Sequence, residues 1–177
     1  MPFYQSEKHL PRGEMWLGRG LFGELGWKDD LAARVRLCRE LAMDIIFFSV
    51  DSPSPHHHSF DYNYFSLGYV LRLIAQKRAL PVGIIIDGPF EQLAHQLGLQ
   101  ELLHRWRDEK DRLLPGAAAQ VAQVFSACLE AGPDAIVIAD DIAYHQSTYV
   151  NPTDLEASLF GFYRDWVAQA HRLGIPV

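Results

Sequence analysis

The sequence lacks the features that mark secreted or membrane-spanning proteins. Only two of its 177 residues are cysteines, Cys38 and Cys128. They lie far apart without a CxxC spacing, which predicts buried thiols in a reducing compartment and not a disulfide framework. No apolar stretch approaches the length of a membrane span. The N-terminus has no charged segment followed by an apolar one, so no signal peptide is predicted and we expect a cytoplasmic protein.

Clustered basic residues are also lacking. The chain has 16 Lys and Arg residues against 22 Asp and Glu residues, and its formal net charge is -6. Without a basic patch we expect no binding to nucleic acid and no attraction to an anionic membrane. The length fits one domain, and the hydrophobic fraction of 49% is enough to bury a core. These properties favour a globular protein with a small-molecule substrate.

Three short apolar runs in the chain end on aspartate. They are Ile45–Asp51, Val82–Asp87 and Ala135–Asp141, and their β-branched and aromatic residues are typical of strands buried on both faces of a parallel sheet. Helical patterns separate the runs, which predicts parallel βα units. Active sites in such α/β folds form at the carboxyl ends of the strands. The candidate catalytic residues are therefore Asp51, Asp87, Asp140 and Asp141.

The segments between these runs carry helix boundary signals. Residues 1–28 are rich in glycine and predict an irregular lead-in, while residues 29–177 form the expected domain. The final helix has Asn151 as its predicted cap and ends at Gly174, after which Ile175–Val177 resembles the opening of a further strand. The predicted helices span approximately residues 30–42, 60–78, 90–97, 99–109, 114–131 and 152–173.

A sheet of three or four parallel strands leaves edges and one face uncovered. An eight-stranded barrel normally needs about 250 residues. We therefore expect this chain to be half of a larger fold, which is completed by a second half or by self-association.

Three segments resemble the uroporphyrinogen decarboxylase superfamily, which includes corrinoid-linked methyltransferases such as the methylcobamide:coenzyme M methyltransferases. Ala131–Asp141 is similar to the strand that reads AGADAI and ends in DD. Ile85–Phe90 is similar to a segment with a GP turn, and Val150–Leu155 with the later Gly174–Val177 is similar to a helix unit that ends GIPV. The resemblance spans about Asp29 to Val177 and implies the N-terminal half of a (β/α)8 barrel of the TIM type.

The resemblance implies corrinoid-dependent methyl transfer or, alternatively, decarboxylation of a porphyrinogen. The decarboxylases carry an arginine-rich segment that binds substrate carboxylates, whereas the comparable region here offers only Arg12 and Arg19. An octa-acid substrate needs several guanidinium groups, so methyl transfer is the leading hypothesis. In that branch zinc activates a thiol, a corrinoid protein is the partner, and the zinc ligands would lie beyond Val177. A non-catalytic half-barrel that binds a partner is the third hypothesis.

Loop residues at the same sheet edge are candidate substrate ligands. His56, His57 and His58 follow the first strand, and because consecutive histidines cannot easily reach one ion, substrate contact is favoured over metal binding. Tyr144 and His145 follow the third strand, where a histidine could act as an acid or base near neutral pH. Arg19 is the remaining candidate. The alternative interpretation is structural: the aspartates form turns or caps, and the loop residues are solvated.

Overall fold

The computed structural model describes residues 12–15, 17–50, 64–75 and 80–177. Over these residues the chain is an α/β protein with a parallel sheet. The helices are α1 (Arg19–Glu24), α2 (Leu31–Glu40), α3 (Leu67–Ala75), α4 (Pro89–Leu97), α5 (Leu99–Ala131), α6 (Pro152–Ser158) and α7 (Phe160–Arg172). The strands are β1 (Ile46–Val50), β2 (Tyr64–Phe65), β3 (Val82–Asp87), β4 (Ala135–Ala139), β5 (Ala143–Tyr144) and β6 (Ser147–Thr148).

The main sheet has the order β2-β1-β3-β4, and all of its neighbouring strands are parallel. Beyond β4, the backbone N–H of Ile136 donates a hydrogen bond to the carbonyl of Pro176 at 2.9 Å. The segment at residues 175–177 therefore runs beside β4, in agreement with its expected role as the start of a further strand. The short strands β5 and β6 form a separate antiparallel hairpin.

Burial on both faces explains why β3 forms at the centre of the sheet. All six of its residues are buried. Val82, Ile84 and Ile86 share one core with Phe125 and Cys128 of α5. This continuous apolar character is typical of a central parallel strand. The three predicted strands form as β1, β3 and β4, but β4 is fully buried only at Ile136 and half-buried at its other positions, so the expected burial on both faces is not found there.

The prediction of separate helices over residues 99–109 and 114–131 is wrong, because α5 is one helix of 33 residues with Pro115 inside it. Proline lacks the N–H that would bond to the carbonyl of Asp111 and normally interrupts a helix. Buried side chains on both sides of the proline, including Trp106, Leu114 and Val121, anchor the helix to the core. Tertiary packing therefore offsets the local cost.

Three other helix predictions also need correction. Within the predicted helix 60–78, Tyr64 and Phe65 form β2, and the helix itself spans Leu67–Ala75. Its remaining positions lie outside the described residues. The lead-in contains the helix α1, and the last predicted helix is divided at Leu159 into α6 and α7. The Asn151 cap is confirmed, since its side chain accepts a hydrogen bond from the Thr153 N–H at 2.9 Å.

A second apolar cluster lies between α4, α5 and α6. Its buried members include Phe90, Leu102, Trp106, Leu155 and Leu159. These contacts fix α4 against the end of the sheet. No helix in the described ranges is both long and apolar enough to cross a membrane.

The two cysteines are free and buried, as predicted. Burial raises the pKa of Cys128 to about 12 and also raises the pKa of Cys38. Both thiols are therefore protonated at neutral pH and pack as small apolar groups.

Candidate functional site

The carboxyl ends of β3 and β4 bring two of the predicted aspartates to one edge of the sheet. Asp87 is the last residue of β3 and pairs in register with Ala139. The next residue, Gly88, donates its N–H to the Ala139 carbonyl at 2.6 Å. Asp140 follows directly after β4, so the two carboxyl groups belong to neighbouring strand ends.

Asp140 caps a helix that belongs to another βα unit. Its Oδ2 accepts a hydrogen bond from the Phe90 N–H at 3.2 Å, and its Oδ1 accepts one from the Glu91 N–H. Helix α4 has Gly88 at its N-cap position and therefore no capping side chain of its own. A carboxylate is favoured at this position, because the free N–H groups of a helix N-terminus carry partial positive charge.

A third donor reaches Asp140 from the last helix. The hydroxyl of Tyr163, on α7, donates a hydrogen bond to Oδ2. One carboxyl group therefore connects β4, α4 and α7. The approach is so close that Gly88 has no room for a side chain, since a Cβ at this position would overlap the Asp140 carboxyl group.

The surroundings of Asp140 exert opposing effects on its pKa. Burial of the carboxyl group raises the pKa from 3.8 to about 7, against the lowering effect of the hydrogen bonds from Tyr163, Glu91 and Phe90. The nearby Glu91 carboxylate adds a smaller upward contribution. A pKa raised toward neutrality suits the group to both proton donation and proton acceptance.

Tyr163 acts as a fixed donor to this carboxyl group. Burial, followed by the charge and the hydrogen bond of Asp140, raises its pKa. The hydroxyl therefore stays protonated over the range in which Asp140 titrates.

A line of ionisable side chains extends from Asp87 along α4. Its members are Asp87, at the end of β3, and Glu91 and His95, which are four residues apart on α4 and so lie on one side of that helix. The His95 Nε2 lies 2.9 Å from Oε1 of Glu91, and its Nδ1 lies 3.8 Å from Oδ2 of Asp87. The pKa of His95 is raised above 6.5, mainly by the hydrogen bond with Glu91. Burial of the ring lowers this pKa, and the negative charges of Glu91, Asp87 and Asp140 raise it further.

The other predicted residues are more dispersed. Asp141 is exposed and is not one of the partners in the Asp140 hydrogen bonds described above. Tyr144, with 46% of its surface exposed, and the exposed His145 lie on the β5–β6 hairpin. The side chain of Arg19 and the whole of Asp51, His56, His57 and His58 lie outside the described residues.

Aromatic contacts connect this hairpin with the N-terminus of α4. The Tyr144 and Tyr149 ring centroids are 5.6 Å apart, and the Tyr149 ring stacks on Phe90 at 6.4 Å. Phe90 in turn supplies one of the N–H groups bound to Asp140. The hairpin therefore lies next to the site, although Tyr144 and His145 make none of the hydrogen bonds to Asp140 described above.

Three residues of the site were not predicted from the sequence. Glu91 and His95 could have been found, because their four-residue spacing places them on one side of the helix predicted over residues 90–97. Tyr163 gives no such local signal, since it lies 23 positions from its partner.

Among the described residues, no three His, Cys, Asp or Glu side chains are grouped so as to hold a metal ion. Comparison with known proteins gives no family either: no protein-family model and no curated protein matches the chain.

Proposed function

We propose that this chain forms half of a (β/α)8 barrel similar to the uroporphyrinogen decarboxylase superfamily and takes part in corrinoid-dependent methyl transfer. The observation that carries the proposal is Asp140, a carboxyl group at the carboxyl end of a parallel strand, held by three donors and with a pKa of about 7. A shifted pKa at this place in an α/β fold is characteristic of a catalytic acid or base.

The order of the long strands supports a barrel. β3 lies beside β1, β4 lies beside β3, and residues 175–177 lie beside β4. Each of these long strands is thus added on the same side as the one before, whereas the two-residue strand β2 lies on the other side of β1. A barrel adds strands in this sequence until the sheet closes. If β2 is counted as a full strand, the order β2-β1-β3-β4 is instead that of a doubly wound sheet, which reverses direction beside its first strand; we treat β2, which has only two residues, as an addition to the barrel order.

Asp140 suits the proton balance of methyl transfer to a thiol. The S–H bond breaks, the proton passes to the Asp140 carboxylate, and the sulfur forms a bond to the methyl carbon. The electron pair of the S–H bond remains on sulfur and forms the new bond, while the bond between the methyl carbon and its donor breaks and leaves its electron pair with the donor. Oδ1 accepts only one of the hydrogen bonds described above, so it keeps a lone pair for this proton. In the reverse direction the protonated carboxyl group is the acid.

A corrinoid held by a partner protein would supply the methyl-carrying centre when it is bound. The superfamily resemblance also implies zinc, but the described residues do not form a zinc site. We therefore derive no step through zinc and assign it to no residue of this chain.

Ligand binding by matched aspartate variants tests the proposal. The chain is titrated with methylcobalamin and separately with uroporphyrin, with and without added zinc, and the absorbance of each tetrapyrrole is followed. We expect methylcobalamin to bind without turnover in the absence of zinc and the second half of the barrel, and we expect Asp140→Asn to slow demethylation by an added thiol once both are supplied. The adjacent exposed residue provides the control variant, Asp141→Asn, which should behave as the wild type.

Decarboxylation of a porphyrinogen is the second candidate function, because a protonated Asp140 could supply the proton that replaces the lost carboxyl group. Binding of uroporphyrin but not methylcobalamin, with turnover of the porphyrinogen without metal, would favour it. Binding of neither tetrapyrrole would overturn both enzymatic proposals and leave the non-catalytic half-barrel.

A further inference from the structure

The arrangement of Asp87, Glu91 and His95 differs from that of Asp140. Asp140 is held by donors from two helices, whereas His95 lies between two carboxylates of unequal exposure. The exposed fraction of the side chain falls from 24% at Glu91 to 19% at His95 and 5% at Asp87. The imidazole thus connects a solvent-accessible carboxylate with a buried one.

We propose that His95 carries protons between solvent and Asp87, with Glu91 as the outer group of the relay. The inference rests on the proposed function in one respect: it assumes that Asp87, at the carboxyl end of β3, contacts the substrate. His95 is a positioning residue in this scheme, because it acts on substrate only through Asp87.

Imidazole suits a relay because each of its two nitrogens can donate or accept a proton. A proton from the Glu91 carboxyl group adds to Nε2 and forms the imidazolium ion. The proton on Nδ1 then passes to Oδ2 of Asp87. Glu91 is left ionised, Asp87 protonated, and the ring neutral with its hydrogen on Nε2. Exchange with water returns the ring to its first tautomer.

The two nitrogens of the His95 ring differ in how closely they approach their carboxylate partners. At 2.9 Å, the contact between Nε2 and Glu91 is already a hydrogen bond. At 3.8 Å, the contact between Nδ1 and Asp87 is too long for direct transfer. The inner step needs a small rotation of the ring or a bridging water molecule, so we expect this step to limit the rate.

The surrounding charges keep the ring ready to accept a proton. Glu91 on α4, Asp87 on β3 and Asp140 on β4 all favour the imidazolium form, and burial opposes it. Among the described residues, Tyr163 on α7 also acts on this group of carboxylates, through its hydrogen bond to Asp140. Three carboxyl groups thus offset the cost of charging a half-buried ring.

Proton exchange at the Asp87 carboxyl group tests the relay without substrate. The chain is labelled with ¹³C at its aspartate carboxyl groups, and relaxation dispersion measures how fast Asp87 gains and loses its proton. We expect His95→Gln to slow this exchange by about a hundredfold, the lower end of what a positioned acid–base group contributes. Added imidazole should restore the rate in His95→Ala. The exposed α5 histidine provides the control, His104→Gln, with an unchanged rate.

A purely structural ion pair predicts a different result. In that case His95→Gln would lower stability but leave the exchange rate at Asp87 unchanged, and this outcome would overturn the relay. If His95→Gln does not fold, Glu91→Gln provides the same test, since it removes the outer group and keeps the ring. The proton-exchange experiment contains no tetrapyrrole. A failure of the chain to bind methylcobalamin would therefore refute the proposed function and leave the measured exchange rate at Asp87 unaffected.

Discussion

The hydroxyl of Tyr163 donates a hydrogen bond to Oδ2 of Asp140 across 23 positions of the chain. The same carboxyl group caps α4 through the Phe90 and Glu91 N–H groups. The ionisation of one side chain is therefore coupled to the packing of β4, α4 and α7. This coupling makes the proposed function of Asp140 and the stability of the fold depend on the same proton.

Removal of the Tyr163 hydroxyl should raise the pKa of Asp140. The hydrogen bond from Tyr163 is the largest of the effects that lower this pKa. A hydrogen bond to a charged group contributes about 1.5–3 kcal/mol, so Tyr163→Phe should raise the pKa by about one or more. The ¹³C shift of the Asp140 carboxyl group as a function of pH measures the change. Tyr69→Phe, on α3, is the control, and an unchanged or lower pKa in Tyr163→Phe would contradict the assignment.

Asp140 should make the folded state less stable as the pH rises. Its pKa is about 7 in the folded chain, whereas the ordinary value of 3.8 applies to the unfolded chain. Between these two pH values the folded state keeps a proton that the unfolded state has lost. Stability from this group is fully present below 3.8 and is lost as the pH rises to about 7. The slope approaches about 1.4 kcal/mol per pH unit.

Urea unfolding of the wild type and of Asp140→Asn over this pH range isolates the effect. The amide keeps an oxygen that can accept the helix N–H groups but does not titrate, so the free-energy difference between the two proteins should change with pH. His95 has a raised pKa and adds a loss of stability in the same direction, at a higher pH, but it is present in both proteins. A pH-independent difference would show that Asp140 is already ionised at low pH.

Substitution of Gly88 should disturb the cap because there is no room for a methyl group beside Asp140. Gly88→Ala forces the carboxyl group or α4 to move, and we expect a loss of about 1–3 kcal/mol. The matched control is Gly116→Ala inside α5, where nothing lies within 4 Å of the added Cβ. That change should stabilise the protein by about 0.5–1 kcal/mol. Equal unfolding midpoints for the two variants would refute this explanation of Gly88.

The parts of the fold that could be predicted are those with a strong local signal. β3 is buried along its whole length, so its residues had to be apolar, and this run ends at Asp87. The helix cap at Asn151 is equally local. At Pro115 the local signal misleads, since the chain stays helical through contacts made by Trp106 and Val121 with different parts of the core.

The site could be predicted only in part for the same reason. The strand ends indicate Asp87 and Asp140, because parallel strands bring their carboxyl ends together. The alternation of strand side chains also predicts that Asp140 and Asp141 do not share one environment, but it does not indicate which of the two is held in the site, and both follow the end of β4. The sequence does not identify Tyr163 as the third donor to Asp140, because the position of Tyr163 depends on how α7 packs in the folded chain.

A buried arginine near the first strand should be essential for stability. Arg34 is 3% exposed and makes two hydrogen bonds to Asp29, at 2.7 and 2.9 Å. Its guanidinium group also lies 5.0 Å from the Phe22 ring centroid and 5.1 Å from that of Phe65. Removal of one partner leaves a partly buried charge without compensation, so Arg34→Ala should cost about 3–5 kcal/mol.

Two further variants separate the ion pair from a general effect of arginine removal. Arg36 has a side chain that is 62% exposed and pairs with Glu40, and Arg36→Ala should cost at most about 1 kcal/mol. The double variant Asp29→Asn/Arg34→Met should regain much of the loss, because it removes both charges and keeps an apolar stem in the core. Urea unfolding at constant pH gives the three free energies. If the double variant is no more stable than Arg34→Ala, packing of the arginine stem and its ring contacts, and not the unpaired Asp29 charge, accounts for the loss.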